Sequence, residues 1–404
     1  MRILCLFGRY AYGEPARGEG YEHANFLPAF TALGHDVALF DSFDRSGYRD
    51  FADLNQHLVQ QVERFRPDLI FAVLMHYEIW FETLDLIRER SPAAIVSWGT
   101  DDSWKFRQFS RFLCRHVDLH VTTDVAALAA AAKLGITNIM GSQWAASSTG
   151  LAEPLASSAC TYDVTFVGMA YGNRRAHIEA LARRGIAVAC FGHGWPRGPI
   201  DLPQVRQIYR SSRITLNFAD SGLQMLGGRL HRSRQVKART FEVPGAGGFL
   251  LTEENADLGK YFRLGDEVIS YGNADDLADT IRFYLNHPEE RDRIARAGHE
   301  RVQREHLYEA RFSTIIDHAL GLVGERQNKP WDIRTDMLQR AFESHRRGAP
   351  LRKVFDGLKN ASSVRMRRLW RALRRLAYEF SWRVCGERTF RAAGLPGRFF
   401  YRES

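Results

Sequence analysis

Cysteine is scarce in this 404-residue chain, and the few copies are scattered along it. The five residues, Cys5, Cys114, Cys160, Cys190 and Cys385, are odd in number and never form a Cys-x-x-Cys pair. Disulfide frameworks and structural zinc sites both need paired or clustered cysteines, so this pattern argues against both kinds of structure. It is typical of a protein in a reducing compartment, and we expect the cytoplasm.

Long apolar runs are missing as well. No stretch reaches eighteen apolar residues, the length that a helix needs to cross a bilayer. The segment 1–7 is too short for the apolar part of a secretory signal and has no cleavage site. Hydrophobic residues make up 45% and charged residues 25%, which is ordinary globular composition. The length is sufficient for two domains with separate cores.

Acidic residues are depleted in one region only, the last part of the chain. Residues 334–404 contain 18 Lys or Arg against 6 Asp or Glu, a net charge of +12. Residues 1–333 contain 38 basic and 41 acidic residues, a net charge of −3. The basic excess of +9 is therefore a property of the C-terminal segment, not of the whole protein.

Buried strands and amphipathic helices alternate through the first 145 residues. Strands are predicted at 2–7, 36–40, 69–74, 94–98 and 119–122, and one helical stripe is formed by Phe51, Leu54, Leu58, Val62 and Phe65. This alternation predicts an α/β fold with a parallel sheet that is covered on both faces. Functional side chains are then expected just beyond the carboxyl ends of the strands.

Polar residues follow several of these strands. Asp101 and Asp102 come directly after one strand, where they can contact an acceptor, act as a base or bind a metal. Capping of the following helix by Asp102 or Ser103 is the competing interpretation, and metal binding ranks below both. His76 follows another strand, so it is either a contact to substrate or a structural histidine. The glycine-rich loop 8–20, with Gly18, Gly20, Tyr21 and His23 at its end, follows the first strand, where backbone N–H groups can face a phosphate; a flexible surface loop is the alternative.

The second half begins after a segment rich in Ala, Ser and Thr. We expect residues 1–145 and 162–325 to form two Rossmann-like domains, with 146–161 as a linker and 326–404 as a basic helical extension. A predicted strand at 164–167 leads to Arg174 and Arg175 at the start of a helix. Cations are disfavoured at a helix N-terminus unless an anion is nearby, so this pair indicates a phosphate or, as the alternative, solvated arginines.

The most informative stretch is 237–252, with the sequence Lys-Ala-Arg-Thr-Phe-Glu-Val-Pro-Gly-Ala-Gly-Gly-Phe-Leu-Leu-Thr. Lys237, Arg239 and Glu242 lie on a short helical turn that ends at a glycine-rich bend before a buried strand. Two cations and a carboxylate suit an anionic ligand that also carries a sugar diol. Taken by spacing alone, a solvated helix followed by an ordinary turn explains the pattern equally well.

A family resemblance favours the first interpretation. The stretch Lys-x-Arg-x-Phe-Glu with Gly-Gly-Phe-Leu-Leu-Thr resembles CgeB-like, spore-maturation-type glycosyltransferases, relatives of the GT-B group that includes retaining GT4-type enzymes. Further matching segments lie between about residues 160 and 317: Phe166-Val167-Gly168, Tyr171-Gly172-Asn173-Arg174-Arg175, Phe191-Gly192, Leu216-Asn217-Phe218, Gly265-Asp266-Glu267-Val268, His287-Pro288-Glu289-Glu290-Arg291 and Ala297-Gly298-His299-Glu300. The resemblance implies a GT-B fold and transfer of a sugar from a nucleotide donor.

The same resemblance implies roles for individual residues. Glu242 is expected to bind the nucleotide ribose, and Lys237, Arg239 and nearby arginines the diphosphate. The nucleotide side is expected to include Gly168, Tyr171, Arg174, Arg175, Gly192, Asn217, Gly247 and Gly248. Many GT4-type enzymes have a second glutamate eight residues before the ribose glutamate, but this chain has Arg234 there. Recognition of the donor sugar must therefore differ, and the implication of a retaining mechanism is weaker.

These observations predict a metal-independent transferase that needs no cofactor beyond its co-substrate, a nucleotide sugar that we expect to be UDP-linked. The acceptor is expected to be a hydroxyl of a glycan, a lipid-linked glycan or a protein. A non-catalytic sugar- or membrane-binding protein on a degenerate fold is one alternative, and an epimerase or hydrolase of nucleotide sugars is another. Nucleic acid is not an expected partner, because no known nucleic-acid module accompanies the basic charge.

A basic amphipathic helix is predicted in the C-terminal segment, from about Val364 to Val384. Its apolar face comprises Met366, Leu369, Leu373, Leu376, Phe380 and Val384, and its other sides carry Arg367, Arg368, Arg371, Arg374 and Arg375. This pattern is compatible with an anionic membrane surface on the cytoplasmic side. Packing of the helix onto the N-terminal domain and binding of a protein partner remain as alternatives.

Overall fold

A computed structural model describes residues 1–226, 229–348 and 364–401, with the backbone alone at 221–233 and 364–368. The first sheet has six parallel strands in the order β2-β1-β3-β4-β5-β6. They are β1 Arg2–Phe7, β2 Asp36–Asp41, β3 Leu69–Ala72, β4 Ala94–Gly99, β5 Leu119–Thr122 and β6 Ile139–Gly141. Five of them lie where the apolar runs predicted them. The helices between them are α1 Tyr21–Ala32, α2 Phe51–Phe65, α3 Phe81–Arg90, α4 Asp102–Lys105, α5 Arg111–Leu113 and α6 Val125–Lys133.

The second sheet has five parallel strands in the order β13-β12-β9-β7-β8. They are β7 Tyr162–Val167, β8 Ala189–Phe191, β9 Ser212–Asn217, β12 Leu250–Glu253 and β13 Ile269–Tyr271. Its helices are α7 Arg174–Arg183, α8 Leu202–Arg210, α9 Arg239–Gly245, α10 Ala274–Asn286 and α11 Pro288–Glu305. The α/β class with two parallel sheets is thus confirmed.

An antiparallel hairpin separates β9 from α9. It consists of β10 Asp220–Leu226 and β11 Arg229–Arg234. The sequence indicated only a polar, glycine-bearing connection here, because the segment has few of the β-branched and aromatic residues that mark a strand.

The last helix of the second half returns to the first sheet. Helix α12, Tyr308–Val323, buries Tyr308, Phe312 and Ile315 in the same core as Phe26 and Phe30 of α1. The rings of Phe30 and Phe312 stack with their centroids 4.4 Å apart. Burial of this apolar face therefore ties the C-terminal half of the chain to the N-terminal core.

The basic C-terminal segment also packs on the N-terminal half. It contains α13 Gln339–Arg346, α14 Val364–Cys385 and α15 Leu395–Phe399. Tyr378, Trp382, Phe390 and Tyr401 are buried in the core beside α2 and α3. Helix α14 has the predicted bounds to within a residue, yet it packs through a face other than the predicted apolar one. No helix in the described ranges is both long and apolar enough to cross a membrane.

Candidate functional site

A cleft lies between the two halves, where the carboxyl ends of β1, β3 and β4 face the start of α9. It encloses a cavity of about 460 Å³. The N-terminal half lines it with Gly20, Tyr21, Glu22, His76, Asp101, Trp104 and Lys105, among others, and the C-terminal half with Tyr171, Gln235, Lys237, Arg239 and Glu242. Side chains at the ends of parallel strands are a common basis for ligand sites in α/β folds.

Three cations lie close together on the C-terminal side of the cleft, where Lys237 and Arg239 line the cavity and Arg174 is buried behind them. Arg239, at the start of α9, donates from Nη1 to the carbonyl oxygen of Val167 at 2.7 Å and from Nε to Oδ1 of Asn217 at 3.1 Å. Arg174 donates from Nη1 to the carbonyl oxygen of Met169 at 2.9 Å. Lys237 donates from Nζ to Oε1 of Gln235 at 3.0 Å. Each of these hydrogen bonds ends on a neutral oxygen, so it orients the cation without neutralising it.

The pKa values of two of these groups reflect their crowding. Burial lowers the pKa of Lys237 to about 8; the charge of Asp101 opposes this shift, and the charges of Arg239 and Arg174 act in the same direction as burial. Burial also lowers the pKa of Arg174 to about 10, with a further contribution from Arg239. Like charges held together in a partly dry site are a cost that a bound anion would remove. The trio is therefore suited to a phosphate or diphosphate.

Glu242 lies one helical turn after Arg239 and lines the same cavity. Burial raises the pKa of its carboxyl group, whereas Arg239, the hydroxyl of Tyr21 and Arg206 oppose that rise. A carboxylate at this position can accept two hydrogen bonds from neighbouring hydroxyls. The spacing in sequence thus brings a diol acceptor and phosphate donors together on one wall of the cleft.

Gly168 and Asn217 lie behind the cations. A Cβ at Gly168 would stand 2.4 Å from Nη1 of Arg239, so glycine leaves room for the guanidinium. Asn217 donates from Nδ2 to Oγ1 of Thr252 at 2.9 Å and presents its oxygen to Arg239. Tyr171 lines the cavity directly, and its hydroxyl accepts from Nη2 of Arg174 at 3.1 Å.

Several expected nucleotide contacts lie elsewhere. A Cβ at Gly247 would stand 2.5 Å from the carbonyl oxygen of Ala152, and one at Gly248 would stand 2.6 Å from that of Tyr209. Gly192 has the same close relation to the carbonyl oxygen of Gly168, at 2.5 Å. These three glycines do not line the cavity and serve close backbone packing. Their contact with the nucleotide stays a prediction.

Arg175 also points away from the cavity. Its guanidinium donates to the carbonyl oxygen of Gly194 and lies 5.2 Å from the ring centroid of Trp195. That tryptophan is buried and donates from Nε1 to the carbonyl oxygen of Gly168 at 2.8 Å. Of the two neighbouring arginines, only Arg174 approaches Arg239. A contact of Arg175 with the ligand stays a prediction.

Asp101 and Asp102 have different environments. Asp101 lines the cavity. The carboxylate of Asp102 is buried, where it accepts from Nε2 of His120 at 2.8 Å and from Oγ of Ser110 at 2.6 Å. Nδ1 of His120 lies 2.7 Å from Oγ of Ser97. Asp102 therefore neither caps the helix nor faces the cleft, which corrects both expectations, and the two carboxylates do not form a chelating pair.

His76 lines the cavity and lies on a loop that is held by hydrogen bonds to Glu78. The buried carboxylate of Glu78 accepts from the backbone N–H groups of Met75 and His76, the latter at 2.8 Å. Burial lowers the pKa of His76 well below its ordinary value, and Lys105 and Arg374 add to this. The imidazole is therefore neutral near pH 7 and can accept a hydrogen bond from a substrate hydroxyl.

Sequence reasoning missed two charged groups of the cleft. Burial raises the pKa of Glu22, on the first turn of α1, and Asp101 contributes in the same direction. Lys105 is buried, and its Nζ donates to the carbonyl oxygen of Leu74 at 2.7 Å. Glu22 could have been identified from its position directly after Gly20 and Tyr21, two residues named in the prediction for the glycine-rich loop. Lys105 follows Asp101 by four residues, the spacing of one helical turn.

Comparison with known proteins agrees with this geometry. Residues 174–317 match the model of a family described as glycosyl transferase-like (Glyco_trans_1_2). No curated protein sequence matches the chain. Among solved structures, sucrose-phosphate synthase from Thermosynechococcus elongatus superposes with a TM-score of 0.56 at 11% identity, covering 80% of this chain and 100% of the other.

Two further solved structures superpose with similar TM-scores and sequence identities. A glycosyltransferase from Rickettsia africae gives a TM-score of 0.54 at 10% identity over 80% of this chain and 99% of its own. HepE from Anabaena, solved in complex with UDP, gives 0.51 at 12% identity over 79% and 100%. These likenesses show the fold. The chain has the GT-B architecture expected from the resemblance, and residues 174–317 of its C-terminal half match a glycosyltransferase-like family model.

Proposed function

We propose that this protein is a glycosyltransferase that moves a sugar from a nucleotide diphosphate donor, UDP-linked, to a hydroxyl acceptor. The observation that carries the proposal is the trio Lys237, Arg239 and Arg174, which are held by neutral partners and repel one another at the cleft. Departure of a sugar leaves negative charge on a diphosphate, and fixed cations at that place stabilise the transition state. The trio also supports membership of the CgeB-like group.

In the proposed complex the donor lies along the wall formed by α9. Glu242 accepts hydrogen bonds from the ribose hydroxyls, and the ammonium of Lys237 and the guanidinium of Arg239 contact the diphosphate. The distance between these roles is fixed by one turn of helix, so the nucleotide is oriented as well as bound. The solved HepE structure in complex with UDP has the same overall fold and supports this choice of ligand.

The acceptor would occupy the N-terminal side of the cleft, where Asp101, His76 and Glu22 line the cavity. Asp101 accepts a hydrogen bond from the attacking hydroxyl and aligns it with the anomeric carbon. The bond between that carbon and the diphosphate oxygen breaks as the new glycosidic bond forms. If Asp101 takes the hydroxyl proton, the attack inverts the anomeric centre. If the leaving phosphate takes it, the configuration is retained, which is the outcome that the resemblance implies.

Arg234 distinguishes the expected donor-sugar side of this site from that of many GT4-type enzymes. Its Nη2 lies 3.1 Å from Oε1 of Glu253, and its Nη1 donates to the carbonyl oxygen of Glu254 at 3.2 Å. The guanidinium thus neutralises a carboxylate near the end of β12, whereas a glutamate is present at this position in many GT4-type enzymes. We propose that the donor sugar is recognised without that second glutamate.

Binding and turnover together test the proposal. The full-length protein is screened by thermal shift and calorimetry against UDP, GDP and their sugar conjugates, followed by an assay for sugar release with and without glycan acceptors. Binding of UDP and acceptor-dependent release support a transferase. Binding without turnover would favour a non-catalytic protein, and release that needs no acceptor would favour a hydrolase. Proton NMR of the product identifies its anomeric configuration.

A further inference from the structure

Helix α14 presents a continuous apolar stripe to solvent. Leu369, Leu373, Leu376, Phe380 and Val384 follow one another at spacings of three and four residues, and their exposed fractions are 53, 41, 65, 62 and 65%. From Leu369 to Val384 the stripe spans sixteen residues, or about 22 Å between its ends at the rise of an α-helix. Single exposed apolar residues are ordinary in proteins, but a contiguous row of five marks an interaction surface.

The opposite face of the same helix is the one that packs on the protein. Tyr378, Ser381 and Trp382 are buried there, and Oγ of Ser381 lies 2.9 Å from Oγ1 of Thr389. At 100° per residue these three positions lie across the helix from Leu376 and Phe380. Helix α14 therefore packs on the protein through its aromatic face, and its aliphatic stripe is exposed to solvent.

Basic groups lie on the other sides of α14 and on the surface next to it. Arg371 and Arg375 are exposed on the face opposite the stripe, because they precede the packed residues Tyr378 and Trp382 by seven positions, or two helical turns. Arg383, nearer to the stripe, forms an ion pair with Glu379. A second group comes from the N-terminal half, since the guanidinium of Arg107 lies 6.0 Å from the ring centroid of Trp382 and the charges of Arg107 and Arg115 lower the pKa of Arg111 in addition to burial. The predicted side chains of Met366, Arg367 and Arg368 lie outside the described set. The described arginines alone make the polar side of the exposed helix cationic.

The packed face of α14 also contacts the cleft. The ring of Tyr378 meets the imidazole of His76 with centroids 4.7 Å apart, and His76 lines the cavity. One helix diameter, about 10 Å, therefore separates the apolar stripe from the acceptor side of the cleft.

We propose that this face of α14 docks on the surface of a bilayer that contains anionic lipid. The aliphatic stripe enters the boundary between headgroups and acyl chains, and the arginines on the polar side of the helix are attracted to the anionic headgroups. Bilayer binding of this kind is independent of the transfer reaction. It would bring the acceptor side of the cleft close to hydroxyl groups displayed on a lipid surface.

Charge complementarity favours an anionic bilayer over a second copy of the chain as the partner of this face. Residues 334–404 carry a net charge of +12, so a symmetric dimer through α14 would bring two strongly cationic segments together. An anionic bilayer supplies both apolar depth and the opposite charge. The attraction of the arginines to such a surface falls as salt screens it, whereas the aliphatic contribution does not depend on salt.

Liposome co-sedimentation with the full chain tests the proposal. The vesicles are phosphatidylcholine with or without phosphatidylglycerol. The test variant is Leu376→Glu with Phe380→Glu, and the matched control is Leu134→Glu with Phe283→Glu, two apolar residues exposed to 55 and 47% elsewhere on the surface. A third variant, Arg371→Gln with Arg375→Gln, removes charge only. All four proteins are first compared by circular dichroism and thermal unfolding, because every substituted side chain is solvent-exposed and folding should be unchanged.

The original protein and the control should pellet with the anionic vesicles and remain in solution with the neutral ones. The Leu376/Phe380 variant should bind at least about tenfold more weakly. The arginine variant should lose binding mainly at low salt. Equal sedimentation of the test and control variants would overturn the proposal, as would binding of neither kind of vesicle. Light scattering that shows a dimer lost only in the Leu376/Phe380 variant would assign the face to a second copy instead.

Discussion

The phenol ring of Tyr378 packs edge-on against the imidazole of His76, with the ring centroids 4.7 Å apart at an interplanar angle of 70°. This contact joins the basic C-terminal segment to the wall of the cleft. The segment is thus part of the N-terminal core and not a separate appendage, because Trp382, Phe390 and Tyr401 are buried with it. A deletion after Gln327 would remove that core packing, so the role of α14 has to be tested with point variants.

The substitutions Tyr378→Ala and Tyr378→Phe test how much this ring contact contributes to stability. The ring is buried, so Tyr378→Ala should lower the free energy of unfolding by about 3–5 kcal/mol through the cavity that it leaves. The hydroxyl of Tyr378 has no hydrogen-bond partner among the described residues, so Tyr378→Phe should change stability by less than about 0.5 kcal/mol. Urea unfolding measures both. Equal effects of the two substitutions would show that the ring contact contributes little.

Asp101 and Asp102 should respond in opposite ways to the same substitution. Asp102→Asn disturbs the buried hydrogen bonds to His120 and Ser110 and should cost about 1–3 kcal/mol of unfolding free energy. Asp101→Asn should leave stability within about 0.5 kcal/mol of the original and lower the rate of sugar transfer. Thermal unfolding and initial rates distinguish the two. A stable Asp102→Asn protein, or a fully active Asp101→Asn enzyme, would contradict the assignment.

Nucleotide binding should depend on pH through Lys237. The pKa of this lysine is about 8 in the free protein, and a diphosphate beside it favours the charged form and raises the pKa in the complex. Below pH 8 the lysine is charged in both states, so affinity for UDP is flat. Above that pH the free lysine is neutral and must take up a proton on binding, so affinity falls by up to about tenfold per pH unit.

Calorimetry in buffers of different ionisation enthalpy should detect this proton uptake. In Lys237→Arg the guanidinium stays charged over the same pH range, so its affinity for UDP should be nearly constant. An identical decline in both proteins would place the titrating group elsewhere.

Glu242→Ala should weaken UDP binding by about 1–3 kcal/mol, the usual loss for charge-assisted hydrogen bonds. The effect should be smaller for the deoxyribose analogue of UDP, because one of the hydroxyl partners is already missing there. Glu325→Ala, an exposed glutamate in the turn after α12, is the matched control. Unchanged affinity of Glu242→Ala by calorimetry would remove Glu242 from the site.

Transfer should persist when divalent metals are removed, because cationic side chains stand beside the expected diphosphate. Rates are measured after exhaustive treatment with EDTA and again after addition of magnesium or manganese. Full activity under chelation agrees with Lys237 and Arg239 as the charge-balancing groups. Loss of activity that metal restores would assign that role to an ion instead, with Asp101 as a candidate ligand.

Most of the buried strands, most of the helices and the residues of the α9 wall could be predicted from the sequence alone. Buried strands of a parallel sheet are short apolar runs, so their positions are local information. Lys237, Arg239 and Glu242 share one short helix, and therefore their proximity also follows from spacing. The helical bounds of α14 were predictable for the same reason.

Tertiary structure decided which neighbouring residues share an environment. Asp101 and Asp102 are adjacent in sequence, yet one lines the cavity and the other is held by His120 across the sheet. Glu22 and Lys105 enter the site from helices far apart in sequence, so no local pattern joins them.

The same holds for the outward stripe of α14. Both of its faces carry large hydrophobic side chains, and periodicity cannot tell which one is buried. The aromatic face fits the space beside His76 and Phe390, where Tyr378 and Trp382 complete a core that the rest of the chain leaves open. Shape complementarity between distant segments made that choice, and it left Leu376 and Phe380 in solvent.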